Sequence, residues 1–233
     1  MEQPASHTIP FALFRRLLNN NNLATVSINQ REHLIKAFLP SHQVRRDIEN
    51  YIAGVFRHRF SARLDDFMPL LVILEKPDGE IAAALGIRFA DQQTLFAEQY
   101  IHKEIDHVVL EQFNILDHRE HIIEIGSLAS TESGYARHLF LAMTKILTQW
   151  KFQWLTFTAI PVVVNVFKKL KLNPIEICNA KLKDLANTKT DWGSYYDKNP
   201  KVMIGDVFAA NQYLEKINAY RNMIFNQTLL EGT

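Results

Sequence analysis

The sequence predicts an α/β protein whose mixed central sheet is flanked by helices. Three observations favour this class: a β-meander in the first half, alternating strands and helices in the second half, and enough apolar residues for a sizeable core. The chain has 233 residues, of which 47% are hydrophobic, 22% charged and 11% aromatic. At this length one large domain or two small ones remove about 70% of the unfolded surface from water.

The N-terminal part of the chain is predicted to contain an amphipathic segment, a strand and a long helix. The amphipathic segment, 11–18, ends at a run of asparagines, because Asn competes for backbone hydrogen bonds. Residues 23–28 are typical of a strand, whereas the pattern of 31–38 does not decide between helix and strand. Apolar residues at three- and four-residue spacing then predict a helix over 41–60, with Ser41 as its cap.

The middle of the chain is predicted to be a meander of short strands followed by one helix. An Asp-Gly pair between two apolar runs indicates a hairpin of strands 70–75 and 80–89, since glycine adopts positive φ at little cost. A third short strand is predicted over 95–101 and a short helix over 105–113.

Strands and helices alternate in the second half. A buried strand over 121–129 leads to a helix over 134–150, and a short strand over 154–159 leads to a second helix over 161–170 with proline in its first turn. The remaining predicted elements are strands 174–178 and 201–207 and a terminal helix 208–229.

Charge and cysteine content exclude several classes of function. The chain carries 26 Lys and Arg against 25 Asp and Glu, a net charge of +1, so no global field attracts nucleic acid. Its one cysteine, Cys178, excludes an internal disulfide and a thiolate-rich metal site. His118 and His121 have H-x-x-H spacing without a recognisable third ligand. We therefore predict no metal, no tightly bound cofactor and no nucleic-acid partner.

The sequence favours a cytoplasmic location. No apolar run approaches the roughly 18–20 residues that span a bilayer. The N-terminus lacks the basic start and the cleavage site of an export signal, and the low cysteine content suits a reducing compartment.

The most informative segment is the loop that leads into the helix at residue 134. A helix N-terminus presents free N–H groups and the positive end of the helix dipole, which suits phosphate. Gly134 and Ala136 allow close approach of a ligand to the backbone. The alternative is structural, with 130–133 capping the helix and Gly134 easing the turn.

The spacing Thr131-x-x-Gly134-x-Ala136 resembles the Q/R-x-x-G-x-G/A loop of the GCN5-related N-acetyltransferase fold, whose backbone amides bind the pyrophosphate of coenzyme A. The neighbouring elements match the central half of that fold in order and length. The resemblance implies binding of the donor's pantetheine arm and phosphate at Leu128, Ala129, Ser130, Gly134, Ala136 and Arg137. The chain departs from that loop in having Thr131 in place of Gln or Arg, and a negative charge at Glu132.

A second resemblance, over about residues 40–130, is to acyl-homoserine-lactone synthases, a branch of the same fold. Glu124 matches the glutamate of their W-E-hydrophobic-S-R strand, whereas Gly126 and Ser127 replace the Ser-Arg pair. Further along the chain, Phe167 stands where acetyltransferases often carry a tyrosine general acid.

From about residue 40 to 210 the chain resembles the bacterial family named thermostable hemolysin. The segments that carry the resemblance are AAALGIR (82–88), LFAEQY (95–100), EIGSLA (124–129), WGSYYD (192–197) and MIGD (203–206). The family name records cell lysis, whereas the fold resemblance implies acyl transfer.

Three residues are predicted to carry the chemistry. Acyl transfer to an amine needs a group that takes the proton of the attacking ammonium, and a partly desolvated carboxylate does this. Glu124 is the preferred base, because strand alternation turns it away from Ile123 and Ile125 and toward a cleft. Glu98 is a second candidate carboxylate and Tyr195 a candidate proton donor. The structural alternatives are an ion-paired Glu124, a hydrogen-bonded Glu98 and a packing role for Tyr195.

These observations predict an acyltransferase that moves an acyl group from acyl-CoA or an acyl carrier protein to an amine. Basic residues on the 45–59 helix face and among Lys168, Lys169 and Lys171 are predicted to dock an acidic carrier protein. The alternatives are a membrane-active hemolysin or lipid-binding protein in peripheral membrane contact, and a non-catalytic module of the same fold. The predicted units are an N-terminal segment (1–40), an acyltransferase-like α/β domain (41–207) and a C-terminal helix (208–233).

Overall fold

The computed structural model describes residues 11–186, 190–217, 220 and 225–227. The strands in these residues are β1 (Asn22–Ile28), β2 (Arg31–Phe38), β3 (Leu70–Glu75), β4 (Ile81–Phe89), β5 (Ile122–Ser130), β6 (Trp154–Ala159), β7 (Ile175–Asn179), β8 (Lys201–Asp206) and β9 (Phe225–Gln227). The α-helices are α1 (Phe11–Asn19), α2 (Arg45–Phe60), α3 (Phe96–Ile101), α4 (Ile105–Phe113), α5 (Tyr135–Gln149), α6 (Pro161–Lys169) and α7 (Val207–Leu214).

These strands form one sheet in the spatial order β7-β8-β6-β5-β4-β3-β2-β1-β9. From β1 to β5 the strands lie side by side in chain order and pair antiparallel. β5 and β6 pair in parallel, and α5 makes the crossover that a parallel pair requires. The mixed central sheet that the sequence predicts is therefore confirmed.

Helices cover both faces of the sheet. Alternate residues of β3 enter different apolar clusters: Leu70 and Val72 pack with side chains of α5, whereas Leu71 and Ile73 pack with side chains of α2. Because side chains alternate between the faces of a strand, β3 is buried on both sides. The sheet is thus the middle of three layers, with α2 and α5 on opposite faces.

The N-terminal amphipathic segment is the helix α1, and its apolar side packs inside the protein. Leu17 is only 1% exposed and Leu13 contacts the same cluster. Among the described residues, no helix combines the length and the apolar character needed to cross a membrane.

The start of α2 differs from the prediction. The helix begins at Arg45 rather than near Ser41, and its N-cap residue Val44 makes no side-chain cap. Arg45 itself is 7% exposed. Its guanidinium donates to the backbone carbonyl oxygens of Phe38, Met68 and Pro69. Arg45 therefore ties two chain segments together and does not belong to the basic outer face predicted for this helix.

Two further predictions are wrong. Residues 95–101, predicted as a strand, contain the helix α3. The predicted terminal helix ends at Leu214, and residues 225–227 form β9, which pairs with β1. The rest of that predicted helix falls in part outside the described residues. The undecided segment 31–38 is the strand β2.

β5 and β6 diverge at one end. Their pairing stops at Ile125, whereas β6 continues along β8 as far as Ala159. Beyond Ile125, β5 contains a bulge against β4, and Ser127 in it has a φ of 54°. A bulge bends its strand. The two strands therefore separate and leave an opening, which we call the wedge.

Candidate active site

A cavity of about 610 Å³ lies beside the wedge, with Glu124 in its wall. Ser127 and Thr158, which stand on the two diverging strands, border both this cavity and the wedge. Asp65 and Asp66 are exposed residues of the same wall. We call this space the Glu124 cavity.

Glu124 is fixed by the start of α3. It is 2% exposed; the Phe96 N–H donates to its Oε2 at 2.7 Å and the Ala97 N–H to its Oε1 at 2.8 Å. Arg88 Nη1 is 3.6 Å from Oε2, beyond hydrogen-bond distance. Burial raises the pKa of Glu124, and Arg88 and the two N–H groups oppose that rise only in part. A carboxylate with a raised pKa in a cavity wall is suited to accept a proton.

Glu98 lies next to this site but is not among the residues that line the cavity. The Leu95 N–H donates to its Oε2 at 2.7 Å and the Ile105 N–H, at the start of α4, donates to its Oε1 at 2.8 Å. Arg119 Nη1 is 2.6 Å from Oε1 and Nη2 is 3.2 Å from Oε2. Glu98 therefore joins two helix starts to Arg119, and the structure does not place it in a cleft.

Three aromatic residues that follow one another closely cover the Glu124 cavity: Trp192, Tyr195 and Tyr196, which we call the aromatic cover. Tyr195 also borders the wedge and packs edge-on against Phe60, with ring centres 5.2 Å apart. Tyr196 shares a hydrogen bond with the hydroxyl of Tyr100. Burial raises the pKa of Tyr195 and raises that of Tyr196 to about 12, so both phenols keep their protons at neutral pH.

The loop that carries the aromatic cover is attached to the C-terminal end of α2. The Ser194 N–H donates to the Phe60 carbonyl at 2.8 Å, and the Arg63 N–H donates to the Asp191 carbonyl at 2.6 Å. Gly193 has a φ of 51°, and a Cβ there would collide with the Phe60 carbonyl oxygen. Glycine is thus required at this position by both backbone conformation and space.

Several buried polar atoms without a hydrogen-bond partner belong to residues that line the Glu124 cavity. They are Arg88 Nε, Gln93 Nε2, Thr158 Oγ1 and Trp192 Nε1. Elsewhere in the part of the chain that the structure describes, only Asn22 Oδ1 and Gln149 Oε1 are side-chain atoms that are buried without a hydrogen-bond partner. Buried polar groups are normally paired, because leaving them unpaired costs free energy. Four of these six atoms therefore belong to residues around one cavity, which distinguishes its wall from the rest of the described interior.

One more cavity adjoins the wedge. The wedge itself encloses about 100 Å³, and an apolar cavity of about 440 Å³ lies behind it. Ile125, Phe140, Phe157 and Phe167 contribute to the walls of both. Phe167 is 5% exposed and packs on Phe157 and Phe140, so it presents an apolar ring and no proton donor at this point.

The residues predicted to hold the pantetheine arm lie along the free edge of β5. Leu128 borders the wedge, whereas Ala129 is fully buried and offers only its backbone. Ser130 Oγ donates to the carbonyl oxygens of Ala82 and Glu132, at 2.9 and 2.8 Å. Of these three residues only Leu128 borders the wedge, whereas Ser130 lines the cleft beside α2 and its hydroxyl is engaged by two carbonyl oxygens.

The predicted phosphate loop, residues 130–134, leads into α5 as expected. Gly134 is the N-cap with a φ of 95°, and a Cβ there would meet nothing within 4 Å. Ala136 and the exposed Arg137 stand in the first turn of α5. Glu132, whose charge opposes phosphate, forms an ion pair with Lys76 at 2.5 Å.

A cleft of about 540 Å³ separates this loop from α2. His58 and Arg59 line it together with Ser130 and Thr131. Arg59 Nη2 donates to the Ser130 carbonyl at 2.6 Å. The basic end of α2 therefore lies next to the loop that is predicted to bind phosphate.

Two residues of the Glu124 cavity, Arg88 and Thr158, were not predicted from the sequence. Arg88 is the only charged residue of β4, an otherwise apolar strand, and this isolated charge was a usable signal. Thr158 lies in a strand of mixed apolar residues and threonines, and nothing in that pattern distinguishes it.

The described residues contain no cluster of side chains suited to hold a metal ion. No group of three or more His, Cys, Asp or Glu side chains in them is arranged to hold an ion. His121, from the H-x-x-H pair, contacts Asp117 instead, with Nδ1 at 2.6 Å from the carboxylate.

Comparison with known proteins identifies both a family and a fold. A family model described as thermostable hemolysin matches residues 38–211, and no curated protein sequence matches the chain. The structure of the AHL synthase LasI aligns with a TM-score of 0.55 at 12% identity, covering 87% of this chain and 100% of LasI. FeeM, an N-acyl amino acid synthase from uncultured soil microbes, aligns with a TM-score of 0.54 at 12% identity, covering 82% and 98%. The predicted resemblance in fold is confirmed.

Proposed function

This chain belongs to the thermostable hemolysin family, and we propose that it is an acyltransferase, which moves an acyl group from a thioester to an amine. The observation that carries the proposal is the position of Glu124, a buried carboxylate in the wall of a cavity that borders the wedge. The names of LasI and FeeM describe synthases, and the shared fold supports acyl transfer in general.

The wedge is the proposed seat of the donor's pantetheine arm. Among the described residues, β5 has no partner strand on its β6 side past Ile125, so the backbone groups of Leu128, Ala129 and Ser130 on that edge are the natural partners for the amides of the arm, apart from the Ser130 carbonyl that accepts from Arg59. Thr158 borders the wedge from the opposite strand.

The donor's phosphate is assigned to the phosphate loop and the first turn of α5. Gly134, Ala136 and Arg137 supply backbone N–H groups, and Arg137 adds its charge. His58 and Arg59 extend the basic surroundings on the other side of the cleft. Coenzyme A and the phosphopantetheine of an acidic carrier protein share this phosphate chemistry, and the experiment below separates them.

The proposed reaction uses Glu124 as the base and Tyr195 as the acid. Glu124 takes one proton from the acceptor's ammonium group, and the freed nitrogen attacks the thioester carbon. The C–S bond then breaks, sulfur leaves with the phenolic proton of Tyr195, and Tyr195 recovers a proton from the new amide nitrogen. Glu98 has no part in this scheme, because its oxygens are engaged by two helix starts and Arg119.

The apolar cavity behind the wedge is the proposed site of the acyl chain. Its volume of about 440 Å³ and its aromatic and aliphatic walls match a medium or long chain better than an acetyl group. An acyl chain that enters from the wedge passes Ile125 and Phe157, which line both spaces.

Release of free thiol from a panel of thioesters tests the function. Purified protein is incubated with acyl-CoA of two to sixteen carbons, or with the same acyl groups on an acyl carrier protein, in the presence of primary amines. We expect thiol release that depends on both the amine and the acyl length. Release that never exceeds the rate without protein, with either carrier, would overturn the proposal.

A substitution in the apolar cavity tests the position of the chain. Ala210→Phe, on α7, fills part of the cavity and should shift the preferred donor toward shorter acyl groups. The matched control is Gly205→Ala, because the added Cβ meets no atom closer than 3.7 Å and takes up little of the same cavity. An unchanged preference in Ala210→Phe would contradict the assignment.

A further inference from the structure

Arg88 is a cation in the Glu124 cavity whose hydrogen-bonding groups are largely uncommitted. Its side chain is 13% exposed, its Nε has no partner among the described residues, and it lies on the ring of Phe96 at 5.9 Å. The separation of 3.6 Å from Glu124 is an ion pair without a hydrogen bond. Glu124 is already held by two backbone N–H groups, so Arg88 is not needed to fix its position.

The guanidinium of Arg88 indicates the chemistry of a ligand for this cavity. Its nitrogens can only donate hydrogen bonds, and part of the side chain is accessible from the cavity. A ligand that pairs with it must therefore offer acceptors. A carboxylate meets this condition, and it forms paired hydrogen bonds with a guanidinium.

Glu124 and Arg88 together form a pair of opposite charges in one wall. An α-amino acid carries an ammonium and a carboxylate on one carbon, so its charges have a separation similar to that of this pair. An amine without a carboxylate would leave the half-buried Arg88 with no additional partner.

Resting on the acyltransferase proposed above, we propose that the acceptor is an α-amino acid, with its ammonium at Glu124 and its carboxylate at Arg88. The aromatic cover contacts the acceptor's side chain. Asp65 and Asp66, exposed in the wall of the cavity, attract the ammonium end first and so favour this orientation.

The test compares each amino acid with the amine that lacks only its carboxylate. The pairs are L-tyrosine with tyramine and L-leucine with 3-methylbutylamine, with decanoyl-CoA and decanoyl carrier protein as donors. The measured quantity is the ratio of kcat/KM for the amino acid to that for its amine. We expect a ratio of about 10–100 for the better pair, since hydrogen bonds to charged groups are the strong ones.

Two variants locate the origin of that ratio. Arg88→Gln should bring it close to one, whatever the absolute loss of rate, because the carboxylate loses its cation. Arg31→Gln changes an exposed arginine at the start of β2, is the matched control and should keep the ratio. A wild-type ratio at or below one, or a ratio that Arg88→Gln leaves intact, would overturn the inference while the acyltransferase stands. The wild-type ratio still tests the inference if Arg88→Gln fails to fold.

Binding without donor separates the two proposals. Thermal denaturation of wild type is measured with each amino acid and each amine at the same concentration, about 2 mM, at which L-tyrosine is still soluble. If no thiol is released but an amino acid raises the Tm in wild type and not in Arg88→Gln, the carboxylate site stands and the acyltransferase fails. If no thiol is released and no amino acid raises the Tm above the shift given by its amine, both fail.

Discussion

Glu124 and Glu98 are two buried glutamates in one neighbourhood, with similar backbone partners and different surroundings. Each accepts hydrogen bonds from two backbone N–H groups at or just before a helix start, and each lies near an arginine. Arg119 contacts Glu98 at 2.6 Å, whereas Arg88 stays 3.6 Å from Glu124. Of the two, only Glu124 lines the cavity beside the wedge.

The difference teaches that burial alone does not identify a working carboxylate. A closely paired glutamate such as Glu98 has both oxygens engaged by fixed partners, and removal of one partner leaves a buried charge uncompensated. A glutamate that is positioned by backbone groups, but incompletely paired, keeps its orientation and remains available to a ligand. The comparison therefore predicts that the same substitution has opposite effects at the two positions.

The largest expected effect is on turnover. Glu124→Gln should lower kcat about 10²–10⁴-fold, because the amide keeps the shape but cannot accept the ammonium proton. Glu98→Gln, assayed at a temperature where it is folded, should stay within about threefold of wild type. Steady-state thiol release measures both. Equal losses at the two positions would remove the distinction and the assignment of the base.

The second effect is on stability, and here we expect the larger loss at Glu98 rather than at Glu124. Glu98→Gln should lower the free energy of unfolding by about 3 kcal/mol, because Arg119 and two helix starts lose a charged partner. For a chain of this size that is a fall in Tm of about 6–12 °C. Glu124→Gln should cost less, about 1–2 kcal/mol, because one of its two backbone N–H partners loses an acceptor while Arg88 makes no hydrogen bond to the carboxylate. Denaturant unfolding of the two variants checks this, and a larger loss at 124 would contradict it.

The smallest expected effect is the pH dependence that Glu124 gives to the free energy of unfolding. Its pKa is raised by burial, so the folded protein keeps this proton to a higher pH than the unfolded chain, where the value is 4.5. The stability that this group contributes is therefore complete below about pH 4.5 and is lost as the pH rises through the folded pKa. Each tenfold difference in proton affinity between the folded and unfolded states corresponds to about 1.4 kcal/mol of this loss.

Activity should change in the opposite direction over the same range, because the base must be ionised. We expect kcat/KM to rise with pH while the difference in unfolding free energy between wild type and Glu124→Gln falls. An acid limb of activity at an ordinary glutamate pKa, or one that remains in the residual activity of Glu124→Gln, would show that another group titrates.

Most of the sheet was predictable because its signals are local. The β3–β4 hairpin follows from Asp78-Gly79 between apolar runs, and α5 and β6 follow from their periodicity. α3 was not predictable in this way. The residues 95–101 alternate like a strand, but the first N–H groups of the helix are satisfied by Glu124, which lies 28 positions away from Phe96. A partner so distant in sequence leaves no local pattern.

The site was predictable only in part, for the same reason. Glu124 could be proposed from strand alternation, and Tyr195 from an aromatic-rich loop. The distinction between Glu124 and Glu98 depends on which arginine approaches each one. Arg119 reaches Glu98 from a turn before β5, and Arg88 reaches Glu124 from β4. The sequence does not encode these distances in any readable spacing.

The two sides of the Glu124 cavity have different origins. Glu124 and Arg88 stand on paired strands in the sheet, whereas the aromatic cover stands on a loop attached at Phe60. If the proposed reaction holds, exchange of that loop over evolutionary time would change which acceptor side chains the cavity admits and would leave Glu124 in place. Gly193 sets the condition for such an exchange, because any substitute segment must again pass the Phe60 carbonyl without a side chain.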